Sequence, residues 1–433
     1  MTPAARIAAA IEVFGNIEQQ RRPASDALKD WGLAHRFAGS GDRAAIAGLV
    51  YDALRRKASA AFVMGAETPR AILLGMLRLE RNLDATTIAR LADGARFAPA
   101  PLTEDERTRL DGSDLGGAPP WVAGDYPEWL DPQFTRVFGD ERAAEATALS
   151  SRAPLDLRVN TLKAERDVAV EMLVDHAPAP ASWSPVGLRI ALSPDAKNPA
   201  IHAEPAFIKG LVEIQDEGSQ LAALLAGAKP GEQVLDLCAG AGGKTLAIAA
   251  AMDNKGQLYA TDDDKRRLAP IHDRLARSGA RNVQVRTPKS VGTEIDDLQG
   301  RMDLVLIDAP CTGTGSWRRN PDAKWRMRPG ALEQRGKDQA AILDRAASLA
   351  EVGGRIAYVT CSVLAEENGD QVRNFLARHP EFAVVPASEV AGVLGERAFL
   401  FRRAVLTTEE GLLMTPRRTD TDGFFVALLV RQA

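Results

Sequence analysis

The chain has 433 residues, of which 45% are hydrophobic and 26% are charged, and its formal net charge is −4. The length predicts two or three domains, the composition excludes wholesale disorder, and the longest apolar runs fall short of the ~20 residues needed to cross a bilayer. The slightly negative charge argues mildly against a protein coated in basic residues for nucleic acid, but it leaves room for a local basic surface.

Residues 1 to about 92 predict a helical domain, because apolar residues recur at helical spacing and no strand-like alternation interrupts them. The first turns are amphipathic, unlike the apolar block of a secretion signal. A stretch rich in Pro, Gly and Asp follows at 93–120 and predicts a linker, so we expect a first domain over 1–118. Its Arg55-Arg56-Lys57 run is typical of a solvated helix face, with RNA contact as the alternative.

A small α/β module is predicted over 119–214. Residues 155–160 alternate apolar and polar side chains as a half-buried strand does, and 164–174 has a helical pattern. From 215 to 433 the pattern repeats strand, helix, strand, which predicts a parallel sheet covered on both faces in a Rossmann-like domain. The predicted strands are 233–238, 257–262, 283–286, 303–310, 355–362 and 424–430, and the predicted helices include 246–252, 265–277, 338–350 and 366–378.

The first strand of this domain runs into a glycine-rich turn, Cys238-Ala239-Gly240-Ala241-Gly242-Gly243-Lys244-Thr245. Glycines let the backbone approach a ligand closely, and the following helix N-terminus adds a positive dipole. A phosphate-binding P-loop fails here, because Cys238 stands where that motif requires glycine. The next strand ends in Asp262, whose carboxylate is placed to bind ribose hydroxyls. The pattern indicates a dinucleotide or S-adenosylmethionine (SAM) site, with a merely structural turn as the alternative.

Two of the three cysteines end predicted strands: Cys311 follows Asp308-Ala309-Pro310, and Cys361 follows a second apolar run. Because the carboxyl ends of parallel strands form the ligand-binding edge of an open sheet, we expect both thiols to face one substrate. Burial as small hydrophobic side chains is the alternative. An odd number of cysteines without C-x-x-C spacing predicts a reducing cytoplasm and no metal site.

Methylation of carbon 5 of cytosine needs this combination of two thiols, an acid and a methyl-donor pocket. Carbon 5 is a poor nucleophile until a thiolate adds to carbon 6, which makes carbon 5 enamine-like. An acid near ring nitrogen 3 stabilises the charge that develops, and a base must then remove the carbon-5 proton so that the first thiol can leave. The chemistry alone leaves open which thiol attacks.

The motifs resemble those of the RNA cytosine-carbon-5 methyltransferases, a family that includes the bacterial Sun/Fmu-type ribosomal RNA enzymes. The matching segments are 234–245, 308–315, 360–362 with 366–368, and 421–427. The resemblance implies that Cys361 is the nucleophile and that Cys311 assists product release. It places Asp308 at the junction of cofactor and base. It also implies a SAM-binding loop over 238–244, with Asp262 on the ribose and Arg267 as a further cofactor contact.

The resemblance extends upstream and has two departures. Residues 157–160 are similar to the best piece of the family's small RNA-binding module, and the helical start is similar to a NusB-like domain. Ala241 stands where the family usually has Pro in the SAM loop. The family also offers an acid for the adenine end, whereas this chain has Thr287-Pro288-Lys289, so Asp296 or Asp297 would have to substitute.

A basic segment with interleaved tryptophans follows the first thiol. Cations for phosphates and flat rings for stacking are what a single-stranded or flipped base requires. The segment therefore predicts RNA binding by Trp317, Arg318, Arg319, Lys324 and Trp325. The alternative is a charged surface with two structural tryptophans.

These features predict a SAM-dependent RNA (cytosine-5-)-methyltransferase that acts as a cytoplasmic monomer on RNA and away from membranes. The NusB-like start favours 16S ribosomal RNA over transfer RNA. A catalytically silent RNA-binding ribosome-assembly factor is the alternative from another class, and the missing adenine acid favours it. A dinucleotide-dependent oxidoreductase would leave both thiol motifs unexplained.

Overall fold

A computed structural model describes residues 1–112, 114–192, 199–288 and 293–433 of the chain. These residues form two compact units. The helical unit contains Met1–Arg152 and Trp317–Arg328, and the α/β unit contains Ala153–Leu192, the described part of 199–316, and Pro329–Ala433. Within the described ranges, no single helix has the length and apolar character of a membrane span, although the bent pair Lys57–Met64 and Pro69–Leu79 reaches them jointly.

The helical unit confirms the prediction of an all-helical start. Its core is built from apolar residues on the inner helix faces, such as Phe14, Leu54 and Leu74, which are fully buried. Two of its helices begin at a Thr-Pro pair in which Thr2 or Thr68 accepts a backbone hydrogen bond and caps the helix. The helices are Pro3–Gln20, Ala24–Ala34, Ser40–Arg55, Lys57–Met64, Pro69–Leu79, Ala85–Leu91, Glu104–Asp111, Pro120–Ala123, Asp131–Phe138, Arg142–Ser150 and Pro321–Arg326.

The predicted linker at 93–120 is partly helical, which corrects the sequence interpretation. Helix Glu104–Asp111 begins with a capping box, in which the Thr103 hydroxyl accepts from the Glu106 amide and the Glu106 carboxylate accepts from the Thr103 amide. Leu110 from this helix is fully buried in the helical core. The Thr-x-x-Glu spacing is a signal for the start of a helix, but the surrounding Pro and Gly residues favoured the prediction of a linker.

The small module contains an antiparallel sheet, and its strand Leu155–Val159 is buried on both faces, including Asp156 and Arg158, whereas the alternating pattern predicted a half-buried strand. Its strands are β1 (Leu155–Val159), β2 (Ala179–Pro180), β3 (Gly187–Ile190) and β4 (Val212–Ile214), in the order β2-β3-β1-β4. Helices Arg166–Met172 and Pro205–Ile208 accompany it. Leu157, Val159, Leu188 and Val212 form its buried core.

The large sheet confirms the Rossmann-like prediction. Its strands are β5 (Gln233–Asp236), β6 (Gln257–Ala260), β7 (Val283–Val285), β8 (Met302–Asp308), β9 (Ala350–Thr360), β10 (Phe382–Val384), β11 (Leu406–Thr407), β12 (Leu412–Met414) and β13 (Phe424–Arg431). The strand order is β11-β12-β13-β9-β8-β5-β6-β7, with β10 also paired to β13. Strands β5 to β9 pair with one another in parallel, and β13 pairs antiparallel to β9.

The helices of this unit connect the strands as the alternating pattern predicted. They are Glu217–Leu225, Gly243–Ala251, Lys265–Leu268, Ile271–Ser278, Pro329–Leu349, Gly369–Arg378, Ala387–Val390, Ala398–Ala404 and Pro416–Thr419. The single helix predicted over 265–277 is divided at Ala269–Pro270, because Pro270 has no backbone N–H to continue the helical hydrogen bonds. Strand β5 lies between β6 and β8, so the chain reverses direction across the sheet there and opens a crevice at the strand ends.

Candidate active site

The glycine-rich turn after β5 forms a loop whose shape depends on two glycines. Gly240 and Gly242 have φ values of +50° and +83°, a region that side chains disfavour. A Cβ atom on Gly242 would also lie 2.5 Å from the Ile271 side chain. The Gly240 amide donates a 2.9 Å hydrogen bond to the Asp262 carboxylate at the end of β6. Asp262 therefore fixes the loop, and its contact with a ribose stays a prediction.

A cavity of about 420 Å³ lies against this loop, and we call it the cofactor cavity. Its size falls within the range of small-molecule sites. The lining combines backbone of the loop with cationic, anionic and amide side chains, which suits a zwitterionic ligand with hydroxyl groups, as SAM is. The lining residues are Ile214, Gln215, Ser219, Cys238, Ala239, Gly240, Ala241, Gly243, Lys244, Arg267, Arg274 and Asp308.

The predicted cofactor residues Arg267 and Asp262 lie at different depths beside the cavity. Arg267 lines the cavity, 3.6 Å from Asp262 and with its side chain 56% exposed. Asp262 itself is almost fully buried behind the loop. Neither Asp296 nor Asp297 lines the cavity; Asp297 instead pairs with Arg286 at 3.1 Å. In the segment Thr287-Pro288-Lys289, which lacks the family's acid, Lys289 lies outside the described residues.

Arg274 is a cavity residue that the sequence analysis missed. Its guanidinium donates to the carbonyl oxygen of Ala241 at 3.0 Å and pairs with the Glu213 carboxylate at 3.0 Å. It thereby links strand β4 of the small module to the residue that replaces the usual loop Pro. The contact joins positions 61 residues apart, so no local sequence signal could have identified it.

Lys244 and Asp308 form an ion pair between the loop and the end of β8. The ammonium nitrogen lies 2.7 Å from the carboxylate, and the Lys244 side chain is only 7% exposed. The Asp308 side chain is 35% exposed, so its carboxylate remains accessible from the cavity. The pair joins the cofactor cavity to the strand that leads to the first thiol.

The structure brings the two predicted thiols together. Cys311 and Cys361 follow the parallel strands β8 and β9, which are paired through Asp308 and Val359 near their carboxyl ends. Their sulfur atoms are 3.3 Å apart, and both side chains are half-buried. The expectation that one substrate can reach both thiols therefore has a geometric basis.

The surroundings of Cys311 favour its protonated form. The hydrogen bond with Cys361 raises the pKa of the Cys311 thiol well above its usual range, and burial and the nearby Glu367 carboxylate act in the same direction. Cys311 therefore stays protonated at neutral pH and can donate to the Cys361 sulfur.

Most of the predicted RNA-binding segment is packed into the helical unit. Lys324 is fully buried, and its ammonium donates to the Asp125 and Arg55 carbonyl oxygens at 2.6 and 3.2 Å. Trp317 and Arg318 are also buried, with the Trp317 ring stacked on Phe134. Their burial argues against the predicted RNA contacts and favours the structural alternative.

The other two members of that segment have intermediate and exposed positions. Trp325 is half-buried, and its indole N–H donates to the Leu54 carbonyl at 2.7 Å. Arg319 is exposed. An RNA contact by Arg319 stays a prediction, whereas the Trp325 ring has a structural partner.

Comparison with known proteins identifies the family. The model described as 16S rRNA methyltransferase RsmB/F matches residues 222–430, and a ferredoxin-like domain of the same family matches 126–195. Ribosomal RNA small subunit methyltransferase B of Citrobacter koseri is 32% identical over 310 residues, which are 71% of this chain and 67% of that protein. The chain belongs to the RsmB/F methyltransferase family.

Other similar proteins agree with this assignment. The methyltransferase B of Sodalis glossinidius is 33% identical over 71% of this chain and 66% of its own length. The chain thus spans about two thirds of the length of these relatives. The crystal structure of PH0851 has a TM-score of 0.72 and 27% identity over 99% of both chains. A methyltransferase homologue from Pyrococcus horikoshii has a TM-score of 0.58 and 26% identity, covering 72% of this chain and 97% of its own. The cofactor of RsmB/F proteins is SAM.

Proposed function

We propose that this RsmB/F protein methylates carbon 5 of a cytosine in 16S ribosomal RNA, through a covalent bond between Cys361 and carbon 6 of the base. The observation that carries the proposal is the 3.3 Å separation of the Cys311 and Cys361 sulfur atoms at the sheet edge that also holds Asp308. Relatives named as small subunit rRNA methyltransferases support the substrate. A cytoplasmic monomer is part of the same proposal.

The proposed reaction begins with addition of the Cys361 thiolate to carbon 6. The sulfur–carbon bond forms, and the ring electrons shift so that carbon 5 becomes nucleophilic. SAM, when bound, would supply an electrophilic methyl group to carbon 5, with its sulfonium sulfur leaving as a neutral thioether. A base then removes the carbon-5 proton, and the electron pair of that C–H bond expels the Cys361 sulfur as thiolate and restores the ring.

We assign Asp308 to holding the base beside the methyl donor. Its carboxylate is accessible from the cofactor cavity and is fixed by the buried Lys244 ammonium at 2.7 Å. A fixed charge and its partner require little reorganisation when charge develops at ring nitrogen 3. The Lys244–Asp308 pair therefore supports orientation of the base as well as charge stabilisation.

We assign Cys311 to product release. Because its pKa is raised by the hydrogen bond with Cys361, it is a thiol at neutral pH and can donate to the departing sulfur. Hydrogen bonding to a developing thiolate stabilises it and makes it a better leaving group. The same property makes Cys311 a poor nucleophile, which supports attack by Cys361.

Bisulfite sequencing of total RNA from cells lacking this gene tests the proposal. We expect one 16S cytosine to lose its protection, and we expect wild-type protein but not Cys361→Ala to restore it, because the proposal assigns the covalent bond to the Cys361 thiol. Loss of protection in transfer RNA alone would reassign the substrate. Unchanged protection of every cytosine would contradict the proposed function.

A catalytically silent ribosome-assembly factor is the second candidate, favoured by the adenine end of the site. Neither Asp296 nor Asp297 lines the cofactor cavity, so the usual acid has no described substitute. Calorimetric titration with SAM separates the candidates. Saturable binding supports the enzyme, whereas absence of a binding isotherm in correctly folded protein supports the silent factor.

A further inference from the structure

Two neighbouring residues after the second thiol have no role in the reaction proposed above. Glu367 and Asn368 belong to the segment 366–368, and their side chains are 0% and 4% exposed. A buried carboxylate and a buried amide are costly unless hydrogen bonds satisfy them. The partners of these two side chains lie on either side of the two thiols.

Glu367 holds the backbone around Cys311. One carboxylate oxygen accepts a 2.8 Å hydrogen bond from the Thr312 amide, and the other accepts from the Thr312 hydroxyl. Gln339 donates to the Glu367 carboxylate at 3.2 Å and to the Pro310 carbonyl at 3.0 Å. Thr312, after Cys311, is thus bound to Glu367 directly, and Pro310, before Cys311, is bound to it through Gln339.

Asn368 does the same for Cys361. Its amide oxygen accepts a 2.5 Å hydrogen bond from the Thr360 hydroxyl, and its amide nitrogen donates to the Ser362 carbonyl at 2.9 Å. The residues before and after Cys361 are therefore both held by one side chain. Because Glu367 and Asn368 are adjacent in the chain, the two thiol loops are held by two neighbouring anchor residues.

We propose that Glu367 and Asn368 are positioning residues that set the distance between the two thiols, Glu367 through the Cys311 loop and Asn368 through the Cys361 loop. The inference rests on the proposed function for its catalytic consequences. The Glu367 carboxylate has a second effect, because its negative charge contributes to the raised pKa of Cys311. It thus helps to keep Cys311 protonated for its part in release.

The assignment predicts different defects for the two anchors. Glu367→Gln removes the charge that strengthens these hydrogen bonds and forces the contact with the Thr312 hydroxyl to reverse its direction, so the Cys311 loop is held less firmly and release slows. Asn368→Asp removes the donor to Ser362 and places a carboxylate near a carbonyl oxygen, so the Cys361 loop loses its position and attack slows. Thr312→Val is a milder test, since it deletes only the hydroxyl contact with Glu367.

The first measurement follows methyl transfer and adduct formation by purified full-length protein on a 16S rRNA transcript. Glu367→Gln is expected to lower kcat at least tenfold, leave KM for RNA within twofold, and accumulate a protein–RNA adduct. Asn368→Asp is expected to lower kcat without an adduct. Asp370→Asn is the matched control, because its side chain pairs with Arg373 on its own helix, and it should behave as wild type. Identical defects in the two anchor variants, or none, would overturn the assignment.

The second measurement needs neither RNA nor activity. Diamide takes two electrons and two protons from a pair of thiols, leaving a disulfide and the hydrazine product, and its rate reports how often the sulfur atoms meet. We expect the Cys311–Cys361 disulfide to form at least fivefold more slowly in Glu367→Gln and Asn368→Asp, and about twofold more slowly in Thr312→Val, than in wild type and Asp370→Asn.

The two measurements separate failure of the inference from failure of the proposed function. Slower disulfide formation in folded variants, together with a wild type that methylates no cytosine, would sustain the anchors and reject the function. Wild-type disulfide rates in every variant would reject the anchors whatever the activity. Matching near-ultraviolet circular dichroism and melting temperatures of Thr312→Val and wild type establish that a folded variant is being compared.

Discussion

Asp236, the last residue of β5, is a buried carboxylate with incomplete hydrogen bonding. One oxygen accepts from the Thr245 hydroxyl at 2.7 Å, and the other has no partner among the described residues. Burial raises the pKa of Asp236 to about 7, and the nearby Asp308 carboxylate adds to the effect. The site thus contains a carboxyl group that is protonated in part at neutral pH, directly below the cofactor loop.

The raised pKa of Asp236 predicts that the stability difference between wild type and Asp236→Asn depends on pH. Since the pKa of Asp236 is higher in the folded state than the ~4 of an unfolded Asp, the folded state binds more protons between those values, and stability falls as pH rises toward 7. Asp236→Asn cannot titrate, so its stability relative to wild type should increase from pH 5 to pH 8, by about 1.4 kcal/mol per pH unit up to about pH 7 and little beyond. Urea unfolding at both pH values measures this. A pH-independent difference would contradict it.

At the scale of elements, the segment Trp317–Arg328 illustrates how one sequence signal can suit two roles. Cations and tryptophans in alternation are typical of RNA binding, and they are equally suited to bury a helix with polar contacts to neighbouring backbone. Lys324 donates to Arg55 and Asp125 carbonyls and to the Ser150 hydroxyl, at positions up to 269 residues away in the chain. Only the folded unit reveals these partners.

The buried ammonium predicts that this segment stabilises the helical unit. Lys324→Met keeps the apolar stem but leaves three buried acceptors without their donor, so the free energy of unfolding should fall by about 2–5 kcal/mol. Arg328→Met, at an exposed position of the same segment, is the control and should change stability by less than about 0.5 kcal/mol. Chemical denaturation measures both. Equal stabilities of the two variants would contradict a structural role for Lys324.

Element boundaries were predictable where the local signals were strong. Strands β5, β6 and β8 were expected to within a few residues because buried parallel strands have continuous apolar runs. Helix Glu104–Asp111 was missed although Thr103 and Glu106 carry its capping signal, since the surrounding Pro and Gly residues favoured a linker. The break at Pro270 was missed because the apolar spacing continues across it.

For the whole molecule, the sequence predicted the fold class and the edge of the sheet where the thiols meet. This was possible because strand alternation fixes the direction of each strand, and hence which ends share an edge. The sequence did not predict how the site is held. The Arg274–Ala241 and Glu367–Thr312 hydrogen bonds join segments far apart in the chain, and such contacts leave no periodic pattern.

The central claim is that Cys361 forms a covalent bond with the substrate cytosine, and peptide mass spectrometry tests it most directly. Cys311→Ser protein, which should release product slowly, is incubated with SAM and a 16S rRNA transcript and then digested with nuclease and trypsin. Cleavage after Arg355 and Arg373 places Cys361 in a peptide without other cysteines. We predict a methylated cytidine nucleotide on that peptide. We predict no nucleotide adduct when Cys361→Ala is combined with Cys311→Ser in the same protein. A nucleotide attached to Cys238, or an adduct that persists without Cys361, would contradict it.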